Sequence, residues 1–320
     1  MSPVKLNPEW EIVWQAIKLA PKPVINDVYD LRKSANIALA ASVAAYEKPE
    51  GVEETKHTIQ SLDGSDIDVH QFVPSTASSP EPQRAIVYAF GGGMIAGSID
   101  IWRVSFQELA HRIGSQVFAV HYRLAPEHPA PAAVEDFHSA TKWLQLHAAE
   151  FNVDPKRVVL YGKSAGGGIA AGAALLARDK GLPHPLAAVA LTYPMLDDRT
   201  ELPADHPNQE YFLWTSQANN LGWKALLGRE RAERTDENVS IYAAPARAKD
   251  LSGLPDTFID VGGLDLFSNE DIEFARRLAA AGVYVELHHY PGVAHGFDSV
   301  RHTQIAQEAV LNQTRFFKRY

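Results

Sequence analysis

The sequence predicts an α/β fold, a mainly parallel sheet of about eight strands with helices on both faces. Two observations carry that expectation. From residue 85 onward, short continuous apolar runs alternate with stretches of helical periodicity, the pattern of doubly buried strands joined by crossover helices. Before that point lies a pair of shorter runs separated by Asp63 and Gly64, which reads as an antiparallel hairpin added at the edge of the sheet.

The elements follow in order. Trp10, Val13, Trp14 and Ile17 recur at the spacing of one helical face. Pro21 and Pro23 break that helix, and Asp30 to Ala45 reads as another. HTIQSL (57–62) and DIDVHQFV (66–73) form the hairpin. AIVYAF (85–90), QVFAVHY (116–122), RVVLYG (157–162), LAAVALTY (186–193), DTFIDVG (256–262) and VYVELHHY (283–290) supply the remaining strands. Helices are expected near 100–113, 131–150, 165–180, 269–282 and 301–318. One interval, 195–255, is too long for a connection and reads as a subdomain. An aromatic helix is expected around YFLWTSQANNLGWKALL (211–227).

Composition narrows the function classes. A chain of 320 residues accommodates one large α/β domain with a smaller appendage. Its net charge of −9, without a run of lysines or arginines, argues against nucleic acid as a partner. The absence of cysteine excludes disulfides, thiolate metal sites and cysteine nucleophiles. Glu9 and Glu11 interrupt the first apolar stretch, which does not read as a signal peptide. No run approaches the ~20 apolar residues of a membrane span. A cytoplasmic protein is the expectation.

VVLYGKSAGGGIAAG (158–172) sets an apolar strand against a glycine-rich helix start, with Ser164 at the joint. A phosphate-binding loop would need glycine where Arg157 stands, so that reading fails. The glycines could serve close packing alone. A strand that ends in Gly-x-Ser-x-Gly and opens a helix is also the setting of a nucleophile elbow, a strained turn that lifts the serine hydroxyl above the sheet. The Ala165 N–H, at the helix start, would then face a developing oxyanion.

A serine hydroxyl needs a base beside it. Asp265 follows the strand DTFIDVG, and His295 follows VYVELHHY, so both are expected at the sheet edge that carries Ser164. Asp260, His288 and His289 lie within strands and should not reach that edge. AFGGGMIAG (89–97), after the first buried strand, would aim backbone N–H groups at an oxyanion.

FGGGM, HYRLAPEHPAPAAVED, YGKSAGGG, TYPMLDDR, GGLDLFSNED and AHGF stand in this order over residues 85–300. In these segments the chain resembles the hormone-sensitive-lipase-like carboxylesterases of the α/β-hydrolase superfamily. The resemblance implies an α/β-hydrolase fold with Ser164 as nucleophile, His295 as base and Asp265 as its orienting carboxylate. It implies oxyanion donors at Gly92, Gly93 and Ala165. It also implies a helical cap from 1–50 and 195–250 over a catalytic core of 51–194 and 251–320. Phe90, Met94, Tyr211, Phe212, Trp214 and Phe297 are its candidate pocket residues, and the substrate would be a small to medium, mainly apolar ester. No metal or organic cofactor is implied. Glu127 and His128, in a structural loop, are assigned no chemistry.

Two residues depart from the family pattern. Phe90 stands where a histidine is usual, which would alter loop shape and substrate choice. Lys163 stands where an acid is usual. It would either sit unfavourably at the helix N-terminus or pair with a carboxylate of the cap. The same fold also serves acyl transfer, lactone opening, cyclising elimination and non-catalytic small-ligand receptors. Retention of serine, aspartate and histidine weighs against a receptor. An exposed final strand would allow a homodimer.

Overall fold

The N-terminal helix α1 (Pro8–Ile17) starts at Asn7, whose side-chain oxygen accepts from the N–H groups of Glu9 and Trp10. It buries Trp10 and Trp14, while Val13 and Ile17 are only half covered. The computed structural model describes residues 4–20, 23–77, 79–203 and 205–320; Pro21, expected to end α1, lies outside them. Helix α2 (Val28–Ala44) is capped by Asp27 in the same way.

Strands β1 (Val52–Gln60) and β2 (Asp66–Pro74) form the expected hairpin. Then come β3 (Gln83–Ala89), α3 (Ile99–Ile113), β4 (Gln116–His121), α4 (Ala132–Leu146), β5 (Val153–Lys163), α5 (Ala165–Lys180) and β6 (Ala188–Thr192). After the long interval, which contains α6 (Ser216–Leu227), follow β7 (Thr257–Gly262), α7 (Ser268–Ala280), β8 (Val285–Tyr290) and α8 (Gln304–Phe317). The interval's helix is shorter than expected. Thr215 caps it by accepting from the Ala218 N–H, which leaves Tyr211, Phe212 and Trp214 in the segment before the helix.

The eight strands form one sheet in the order β1-β2-β4-β3-β5-β6-β7-β8. The pairs β1–β2 and β2–β4 are antiparallel, and all others are parallel. The chain leaves β3 toward β4, then returns to the other side of β3 with β5. That reversal makes β3/β5 the switch point of the sheet, where open α/β sheets form a crevice beyond their carboxyl ends. In register, Ala89 of β3 lies opposite Gly162 of β5, so the glycine loop and Ser164 emerge side by side. Asp265 and His295 follow β7 and β8 at the same edge.

The central strands are buried along their length, which accounts for their unbroken apolar runs. Helix α6 packs against α2, and α2 against α3, so the N-terminal helices meet the long interval. Among the described residues no helix is long and apolar enough to cross a membrane.

Candidate active site

Ser164 has φ 55° and ψ −122°, a left-handed conformation that costs about 1–3 kcal/mol outside glycine. The surrounding backbone enforces it. The Ser164 N–H donates to the Thr192 carbonyl at 2.9 Å, and its own carbonyl accepts from Gly167 at 2.8 Å and Met195 at 3.0 Å. The flanking glycines leave no room for a side chain. A Cβ on Gly162 would stand 2.0 Å from the Gly166 carbonyl oxygen, and one on Gly166 would stand 2.0 Å from that of Ala89. The turn can close only with glycine at both positions.

Three side chains from distant parts of the chain meet there. His295 Nε2 lies 2.9 Å from Ser164 Oγ, and His295 Nδ1 lies 2.7 Å from Asp265 Oδ2. The carboxylate is an acceptor, so the imidazole proton belongs on Nδ1, which leaves Nε2 free to accept from the serine hydroxyl. Asp265 is buried, and its Oδ1 accepts from the Phe267 N–H at 3.0 Å. The rings of Tyr193 and Phe267 pack against the imidazole with centroids at 4.5 and 5.4 Å.

The rival residues lie elsewhere. Asp260 accepts from Gln313 inside the sheet, where burial, then the charge of Asp298, pushes its carboxyl up to about 7. His288 bonds Glu286, and His289 bonds Ser268.

The glycine loop runs beside the serine. Gly92 and Gly93 adopt φ 149° and 63°. Among the described residues, none of the N–H groups of Gly92, Gly93 and Ala165 donates to a protein acceptor. Trp214 lies directly on Gly93, where a Cβ would stand 2.2 Å from its ring. The indole N–H donates to Asn219 Oδ1 at 3.2 Å, and Asn219 in turn donates to the Thr200 carbonyl at 3.0 Å.

Four residues that the sequence reading missed hold this loop. Tyr122 donates to the Phe90 carbonyl at 2.7 Å, and Trp102 to that of Gly91 at 3.2 Å. Asn36 accepts from the Gly97 N–H at 2.8 Å. Arg32 donates to the carbonyls of Ile95 at 2.5 Å and Ala125 at 2.7 Å, and it grips Glu127 with both terminal nitrogens. A proline-rich segment after β4 was the one available pointer, since such loops need an anchor; Glu127 supplies it.

The pocket candidates divide. Trp214 covers the loop, and Met94 is buried against Gly168. Tyr211 packs on Trp14 at 5.3 Å, Phe297 on Tyr290 at 5.1 Å, and Phe212 stacks on His206. Phe90, also a pocket candidate, lies beneath the glycine loop. Its ring is fully buried, stacked on Tyr122 at 4.3 Å and lodged against Gly97, so it shapes the loop from beneath.

Lys163 departs from both expectations. Its partner is Asp298, 2.5 Å away and three residues beyond His295, not a carboxylate of the long interval. Burial pushes the Asp298 carboxyl up, but the cations Lys163 and Arg301 outweigh it and hold the group at about 2. Among the described residues no group of three or more histidine, aspartate and glutamate side chains is arranged to hold a metal ion.

Comparison with known proteins places these features in a wider set. A family model described as alpha/beta hydrolase fold matches residues 86–299. Esterase LipI of Mycobacterium tuberculosis is 36% identical over 70% of this chain and 68% of its own length. Carboxylesterase NlhH of the same organism is 37% identical over 73% and 72%. The solved structure titled Bacterial Heroin Esterase superimposes with a TM-score of 0.86 at 34% identity, covering 98% of this chain and 97% of that one.

Proposed function

The chain belongs to the alpha/beta hydrolase family and is an esterase, and we propose that it cleaves small to medium, mainly apolar carboxylic esters through an acyl-enzyme on Ser164. His295 Nε2 takes the hydroxyl proton as Oγ attacks the ester carbonyl. Asp265 holds the imidazole by Nδ1 and stabilises the imidazolium that forms. The carbonyl oxygen becomes an oxyanion and accepts from the N–H groups of Gly92, Gly93 and Ala165. His295 then returns the proton to the departing alcohol oxygen. Water enters, gives a proton to His295 and attacks the acyl carbon, and collapse of the second tetrahedral intermediate frees the acid and restores Ser164.

One observation carries this reading. A hydroxyl, an imidazole and a carboxylate form a continuous line at 2.9 and 2.7 Å although serine and histidine are 131 residues apart. The free N–H groups beside them add support. An oxyanion donor is worth about 3–4 kcal/mol of barrier only when it is preorganised, which gives a reason for the strained elbow and the bracing around the glycine loop. In the same reading, residues 1–50 and 195–250 form a cap, and Met94, Tyr211, Phe212, Trp214 and Phe297 favour apolar acyl groups.

The test is a p-nitrophenyl ester series of increasing acyl length, run on the wild type and on Ser164→Ala. The expected result is turnover on short to medium chains that falls on the order of 10⁶-fold in the variant. Equal rates in both proteins would overturn the reading.

A further inference from the structure

Lys163 and Asp298 are both almost completely buried, and they face each other beneath the site. Stability alone gives little reason for such a pair, because well-packed apolar residues of similar volume do as well or better. Its position gives one. Lys163 ends β5, immediately before Ser164. Asp298 sits in the short 3₁₀ turn Phe297–Ser299 that closes the histidine loop. The ion pair therefore ties the strand that carries the hydroxyl to the loop that carries the imidazole.

The second oxygen of Asp298 extends the tie. Asp298 Oδ1 accepts from the Tyr193 hydroxyl at 2.6 Å. Tyr193 follows β6 with φ 37°, left-handed and uncommon for an aromatic residue. Its N–H is held by the Asp260 carbonyl at 2.6 Å. In that conformation its ring lies against the His295 imidazole. Arg301, stacked on Tyr46 at 4.4 Å, adds a cation to the same buried cluster. The hydroxyl-bearing strand and the imidazole thus rest on a second layer: Lys163 to Asp298, Asp298 to Tyr193, Tyr193 to the ring.

We propose that Lys163 is a positioning residue, which through Asp298 and Tyr193 fixes His295 within reach of the Ser164 hydroxyl. This rests on the reading of Ser164 and His295 given above. It takes no part in bond making. A small displacement of a reacting group lowers the rate far more than it lowers substrate binding, so the signature is a kcat effect.

The experiment compares the wild type with Lys163→Met/Asp298→Leu, Tyr193→Phe and Ser164→Ala, measuring kcat, KM and thermal midpoint on p-nitrophenyl butyrate. The double change removes both charges together, which avoids leaving one buried and unpaired. Tyr193→Phe keeps the ion pair and the ring and deletes a single hydrogen bond. The expected result is a kcat roughly ten- to a hundredfold lower in the double variant and about tenfold lower in Tyr193→Phe, each with KM within about twofold of wild type. Wild-type kcat in the folded double variant would overturn the proposal. If the double variant does not fold, wild-type kcat in Tyr193→Phe overturns it instead. A fall in kcat matched by an equal rise in KM also overturns it, since that is the mark of a deformed pocket. Ser164→Ala separates the two claims: if it is inactive while the other variants match wild type, only the positioning role fails.

Discussion

Trp214 lies directly on Gly93, so in the proposed reading the roof of the site and its oxyanion loop act as one surface. Removing the indole opens space where an acyl chain would extend, so Trp214→Ala is expected to move the chain-length optimum upward. The catalytic efficiency on esters longer than butyrate should rise several-fold relative to acetate, because each added buried methylene contributes about 0.8 kcal/mol. A p-nitrophenyl ester series checks it, and an unchanged optimum would remove Trp214 from the pocket. At this scale the sequence was informative wherever a residue's place in an element determined its role. Ser164, Asp265 and His295 each stand just beyond a strand, and that suffices to bring them to one edge. Lys163 and Phe90 were noticed only as departures, because their partners Asp298 and Tyr122 lie 135 and 32 residues away. Nothing local specifies such a contact.

Elements were legible in proportion to how fully they are buried. The continuous runs of β3, β4, β5 and β6 could hardly be anything but interior strands. The first strand, VEETKHTIQ, has mostly exposed positions and little apolar contrast, so its true start at Val52 was hidden. The helix of the long interval was overextended because Tyr211, Phe212 and Trp214 look like a helical face, whereas the Thr215 cap sets the start. Helix α2 gave no hint of its reach. Arg32 and Asn36 lie on one side of it, four residues apart, and both end on the glycine loop. A helix at the N-terminal end of the chain thereby sets the backbone of a loop some sixty positions later, a link that depends on side-chain length and not on periodicity.

The whole molecule keeps several carboxyls out of water. Burial is the main cause that pushes Asp260 up to about 7 and raises Glu270 and Asp271 well above the usual carboxylate range. Glu270 offsets part of the cost by accepting from the N–H groups of Leu196 and Asp197 and from the Thr200 hydroxyl. Neither oxygen of Asp271 has a hydrogen-bond partner among the described residues. In an unfolded chain these groups ionise near 4, so at neutral pH unfolding releases protons and stability falls as pH rises. Their contribution is complete below about pH 4 and is lost as pH climbs through the folded values. Asp271→Asn cannot ionise, and its melting temperature should fall less than that of the wild type between about pH 6 and about pH 9. Equal slopes by calorimetry would show that Asp271 is not held neutral. The strand order itself was not readable from the apolar runs, since any parallel arrangement would bury them equally. The return of the chain from β4 to β5 across β3 makes the switch point of the sheet, and only the ordered motifs from FGGGM to AHGF pointed to it.

The central claim is that Ser164 is made nucleophilic by His295 and Asp265, and it is tested most directly by locating a covalent adduct. Intact-mass measurement after brief exposure to diethyl p-nitrophenyl phosphate, followed by peptide mapping, should find one diethylphosphoryl group on Ser164. His295→Ala should remain unlabelled over the same interval. Labelling at another residue, or equally rapid labelling without the imidazole, would contradict the account.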